Sequence, residues 1–131
     1  MEVKKEVTAI LNDEMIAKFM GYTTQPTGEG NMIVRPDGFA VDEYPKYHSS
    51  WCMLMQVVEK IETIQLPKPS MIPCSVVITG KTCSIDDGAW DGDKLVDVYD
   101  GNHGDKYTKF SATYEAVVRF IKRYNKNEFH G

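Results

Sequence analysis

Side chains able to do chemistry are few in this chain and widely spaced. His48 and Cys52 stand four residues apart, and Cys74 and Cys83 are the other thiols. Together the four could be imagined as a zinc site, but structural zinc sites are built from closely spaced pairs such as C-x2-C, which this sequence lacks. The plainer reading makes the cysteines small buried hydrophobes and His48 a surface residue. A reactive thiol needs a neighbouring base or a positive helix end; Cys52, near the start of a predicted helix, is the best placed of the three.

Asp86, Asp87, Asp91 and Asp93 crowd a glycine-containing stretch that invites a calcium reading. Counting an EF-hand loop from Asp87 puts Ala89 at ligand position three and Val98 at position twelve, so two oxygen ligands are lost. The stretch reads as a solvated turn. Gly28-Glu29-Gly30 completes neither a dinucleotide fingerprint nor a P-loop. Glu59 and Glu62 lie one helical turn apart beside Lys60, the pattern of a solvated face rather than an acid/base pair. No catalytic, metal or cofactor residues are therefore assigned, and an enzyme or small-ligand binder using Cys52 and His48 stands as the alternative to a non-catalytic role.

Two clusters suggest binding instead. Tyr44, Tyr47, His48 and Trp51 gather around Pro45, and Trp90 sits in the acidic stretch. Exposed Tyr and Trp are the side chains that anchor partners, so Tyr44, Tyr47, His48 and Trp90 form the candidate partner surface. Trp51, on an apolar helical stripe, is expected to be buried. Arg119, Lys122, Arg123 and Lys126 form a basic group with Phe120 and Tyr124 nearby, a weak nucleic-acid signal. Against it, cations at a helix C-terminus have a local electrostatic reason, Tyr124 falls on the apolar stripe as an expected core residue, and the chain's net charge is −4.

Three helices must position these residues. Leu11, Met15 and Phe19, with Ile16 and Met20, predict a helix over about 8–20 that Gly21 stops. Ser49 or Ser50 caps a second over about 50–63, carrying Trp51, Leu54, Met55, Val58 and Ile61. The third, about 111–126, carries Tyr114, Val117, Val118, Ile121 and Tyr124. Period-two runs predict strands near 32–35, 39–42, 74–79, 82–86 and 94–99, with Pro36-Asp37-Gly38 and Gly80-Lys81 as turns. Thr23 to Asn31, Leu66 to Pro73 and Asp100 to Lys109 read as loops.

The expected fold class is α+β: three helices packed on a small, mainly antiparallel sheet, sandwich-like, in one domain. With 131 residues, 42% of them apolar and 26% charged, the chain can bury a core without disulfides or metal. No apolar run reaches the ~18 residues of a membrane span, and Met1-Glu2-Val3-Lys4-Lys5-Glu6 does not resemble a secretory signal. Three cysteines, an odd number, fit a reducing, cytoplasmic location.

Three stretches resemble the phage ABA sandwich domain family, small α/β proteins of phages and prophages. Leu11–Tyr22 is similar to its opening helix, which ends in Met-Gly-aromatic; Tyr47–Ile61 to its second, which ends in Val-Val-Glu-Lys; and Tyr114–Asn125 to its closing helix. Tyr22 stands where Trp is more usual, and the Asp86–Asp93 turn has no counterpart. The resemblance implies a layered α/β fold and a phage- or prophage-derived accessory role. It brings no catalytic residues. The expected partner is a protein or a second copy of the chain.

Overall fold

The computed structural model describes residues 2–64, 73–86, 94–99 and 107–126, with the side chains of 2–6 and 94 left aside. In chain order the elements are α1 (Glu2–Phe19), β1 (Thr23–Thr27), β2 (Gly30–Val34), β3 (Ala40–Val41), α2 (Trp51–Ile61), β4 (Ser75–Thr79), β5 (Thr82–Asp86), β6 (Lys94–Val98) and α3 (Lys109–Asn125). A single 3-10 turn, Tyr47–Ser49, precedes α2. The class is α+β, and the strands form two antiparallel three-stranded sheets, β1-β2-β3 and β4-β5-β6. The chain divides into two compact units, 1–53 and 54–131.

In the first unit, α1 begins earlier than its apolar spacing predicts and ends where Gly21 predicts. Gly21 adopts φ +106, its N–H bonds the Lys18 carbonyl at 3.1 Å, and the Tyr22 N–H reaches the Ala17 carbonyl at 3.0 Å. These two bonds are the Schellman arrangement, which satisfies carbonyls the helix would otherwise leave open. The covered face of α1 carries Asp13, Ile16 and Ala17; Leu11, expected on the apolar stripe, is exposed.

Residues 23–27, read from sequence as loop, form strand β1. Every β1 residue is exposed, so the strand carries no apolar alternation to betray it. Pro26 is accommodated because β1 is an edge strand, where a missing N–H costs no ladder bond. Gly28-Glu29 turns the chain into β2, with Thr27 paired to Gly30. The expected hairpin across Pro36-Asp37-Gly38 forms: the Arg35 N–H bonds the Phe39 carbonyl at 2.8 Å, Gly38 takes φ +95, and Asp37 accepts from Arg35 Nη2 at 2.7 Å.

In the second unit, β4 and β5 are joined by Gly80-Lys81, with Thr79 paired to Thr82 and Gly80 at φ +56. Cys83 pairs with Val98 and Ile85 with Val96, placing four buried side chains on one face of the sheet. That face meets α3, which buries Ala112, Thr113, Ala116, Val117, Val118, Phe120 and Ile121. Thr108 caps α3 in a capping box: its Oγ1 accepts the Ser111 N–H at 3.0 Å and its own N–H bonds Ser111 Oγ at 2.8 Å. The helix thus starts two residues before the predicted boundary.

Ser50 caps α2 as expected, its Oγ accepting the Met53 N–H at 3.2 Å. The buried positions of α2 are Leu54, Val57, Val58 and Ile61. Trp51, expected in the core, is 41% exposed: it is the first residue of the helix, one turn before the first buried position, Leu54. Tyr124 of α3, also expected in the core, is 42% exposed at the helix end and stacks on buried Phe120 at 5.9 Å.

Candidate functional site

The residues singled out from sequence separate. Tyr47 is interior at 1% exposure, and burial pushes its phenol well above the usual range, helped by Tyr22 and Asp13. It therefore offers no anchor to a partner in this conformation. Tyr44 is half-buried and meets Tyr22 edge to face at 6.3 Å. Its hydroxyl is buried and makes no hydrogen bond among the described residues, and its pKa is raised, first by burial and then by Glu14. Trp90 lies outside the described residues, as does the rest of the acidic stretch from 87 to 93 that reads from sequence as a solvated turn.

Among the described members of the set, His48 has a carboxylate partner. Asp13, buried on α1, accepts the His48 backbone N–H on Oδ1 at 3.2 Å, and its Oδ2 meets His48 Nδ1. The sequence offered no signal for this pair, since its two residues belong to different elements and neither stands in a motif. Helix α1 supplies the carboxylate, and the 3-10 turn supplies both donors. With Nδ1 turned to Asp13, Nε2 stands on the far side of a ring whose side chain is 37% exposed.

Cys52 is exposed, against the expectation of a core thiol, whereas Cys74 and Cys83 are buried. Burial pushes the Cys83 thiol up to about 11, with a hydrogen bond to Thr113 working in the opposite direction. The imidazole of His48 is directed to Asp13 and not to Cys52. Among the described residues, no group of three or more His, Cys, Asp or Glu is placed to hold a metal ion.

The basic end of α3 has a different geometry from the one expected. Arg119, Lys122 and Arg123 line a groove of about 330 Å³ with Leu95, Val96 and Asp97 of β6. Arg123 donates to the Leu95 carbonyl, and Arg119 pairs with Glu115 at 2.9 Å. By helical spacing, Tyr124 lies well round the helix from Arg119, Lys122 and Lys126, so cations and exposed aromatic do not share a face. A stacking platform interleaved with phosphate contacts is not formed here.

Large apolar side chains stand out at another place. On α1, Val7 is 48% exposed, Ile10 64% and Leu11 58%. Their spacing of three and four puts them on one face of the helix, with Ile10 at the border of the covered side that carries Asp13, Ile16 and Ala17. No family model, no curated protein and no solved structure matches the chain. No helix among the described residues is long and apolar enough to cross a membrane.

Proposed function

We propose that this protein is a non-catalytic interaction module of phage or prophage derivation that engages a protein through the exposed apolar face of α1. The carrying observation is the contiguous triplet Val7, Ile10 and Leu11, each about half exposed or more. An apolar stripe at helical spacing on one side of a helix is the pattern read by helix-binding surfaces. Large side chains in water forgo roughly 1.5–3 kcal/mol each of burial, which a docked partner recovers. The family resemblance in the three helices supports the phage derivation and the accessory role. The cytoplasm, where three free thiols persist, is the compartment this reading assigns.

A photo-crosslinking side chain placed at Ile10 or Leu11 should trap a protein in cells, while the same group at exposed Val77 should not. Equal trapping at all three positions, or none at any, would remove the reading.

A second reading is favoured by one observation: Asp13 orients His48, four residues before exposed Cys52. A ligand or substrate taken by the pair would protect Cys52 from labelling. If Cys52 reacts no faster than it does in the unfolded chain, a thiol-based activity loses its support.

A further inference from the structure

We propose that the groove between α3 and β6 is a binding site for a small organic anion, a carboxylate or phosphate monoester whose head is held by Arg119, Lys122 and Arg123 and whose apolar body lies on Leu95 and Val96. The site belongs to the second unit and is independent of the α1 face.

Arg119, Lys122 and Arg123 follow one another at spacings of three and four, so they share one face of α3. On β6, Asp86 pairs with Lys94 and Ile85 with Val96, so Leu95 is an extra residue in the ladder, a bulge. A bulged residue's backbone falls out of the regular pairing, and here the Leu95 carbonyl accepts from the Arg123 guanidinium. Arg119 is anchored by Glu115, to which its Nε donates at 2.9 Å. Two of the cations are thus oriented before a ligand arrives, which lowers the ordering cost of binding. A guanidinium carries five N–H donors, so one acceptor does not saturate it. The ammonium of Lys122, exposed on the same face, has no hydrogen bond or ion pair among the described residues.

Charge and polarity together set the class of ligand. The lining residues bring three cations against one carboxylate, Asp97, in a chain whose net charge is −4. The local field therefore favours an anion where the protein as a whole does not. Guanidinium forks match the two-oxygen edge of a carboxylate or phosphate. A bare inorganic ion would leave half-buried Leu95 and the rim of Val96 facing water, whereas a short alkyl or aryl body covers them. The methylene stems of the three cations extend that apolar lining. At about 330 Å³ the groove stands at the small end of ligand sites, with room for one compact molecule. A nucleic-acid strand would find no exposed ring on this face, among the described residues, to stack its bases.

The test is a titration of the full chain with octanoate, octyl phosphate and, as the neutral counterpart, octanol, each to about 10 millimolar, followed by amide proton–nitrogen correlation spectra. The expected result is saturable shifts concentrated at residues 95–97 and 119–123 with at least one of the two anions. Octanol should bind about tenfold more weakly or worse, the worth of one lost charge-assisted contact. Lys122→Glu should weaken the anion by at least about as much, with an unchanged circular-dichroism spectrum, since its ammonium holds nothing in the fold. Lys46→Glu, the same charge change at an exposed position in the first unit, should leave binding as it is. Binding of one anion alone supports the site and names its head. The proposal is overturned if neither anion shifts these amides, if octanol binds as tightly as the anions, if Lys122→Glu and Lys46→Glu behave alike, or if an oligonucleotide binds the same amides and neither anion displaces it.

Discussion

Asp13 grips His48 at two points, one carboxylate oxygen on the backbone N–H at 3.2 Å and the other on Nδ1, across 35 positions of sequence. The carboxylate side chain is 6% exposed and the imidazole 37%. Replacing Asp13 by Ala leaves two donors without their acceptor and should cost about 1–3 kcal/mol. His48→Ala keeps the backbone bond but strands the carboxylate, so it should also destabilise. Urea denaturation of both single variants and the double should give a coupling energy of about 1 kcal/mol or more; additive losses would mean the contact contributes nothing.

The glycine that ends α1 is held by two constraints. Gly21 sits at φ +106, and a Cβ there would lie 3.3 Å from Pro36 Cγ. Gly21→Ala should therefore lower stability by about 1–3 kcal/mol, through left-handed strain and contact with the hairpin proline. Gly28→Ala, where a Cβ would meet nothing within 4 Å, should change stability much less. Equal thermal midpoints for the wild type and Gly21→Ala would contradict the strain argument.

Thiol chemistry should divide the cysteines. At pH 8 Cys52, exposed, should label within minutes, while Cys74 and Cys83 should wait for unfolding. The Cys83 thiol is raised from 9.0 to about 11 by burial. Between these values the unfolded chain has lost the proton and the folded chain keeps it, so stability falls as pH rises from about 9 and levels near 11. The loss should be on the order of 2 kcal/mol. Cys83→Ala should flatten that part of the pH profile; an unchanged slope would assign it to other groups, among them Tyr47.

Helix α2 supplies a test of where along the helix the covered stretch begins. Trp51 is 41% exposed and Leu54 fully buried. Leu54→Ala should cost about 2–5 kcal/mol by transfer and cavity terms. Trp51→Ala should cost under about 1 kcal/mol despite removing the larger side chain, as for other exposed positions. A larger loss at Trp51 would restore the sequence-based expectation that it belongs to the core.

The candidate surface was less legible in the sequence than the elements that carry it. Tyr44, Tyr47 and His48 attract notice as aromatic and polar residues around a proline, yet Tyr47 is interior and His48 is committed to Asp13. Nothing local distinguishes a tyrosine that anchors a partner from one that fills a core, because both use the same large ring with a polar tip. The exposed triplet on α1 was equally ambiguous. Val7, Ile10 and Leu11 have the composition of a core stripe, and apolar residues on a protein's surface are common enough that type alone does not decide burial.

By itself the sequence determined what depends on a few neighbouring residues. Gly21 stops a helix, Ser50 starts one, Pro36-Asp37-Gly38 and Gly80-Lys81 reverse the chain, and period-two apolar runs mark β4, β5 and β6. These follow from φ preferences and short-range hydrogen bonds, which act over one or two turns. Tertiary structure alone decided that the strands part into two sheets, that a fully exposed run with Pro26 becomes an edge strand, and that Asp13 meets His48. It also decided which side of α1 is covered, leaving Ile10 and Leu11 in solvent. Those outcomes depend on where the backbone brings distant segments, and burial is a property of what lies opposite a side chain rather than of the side chain itself.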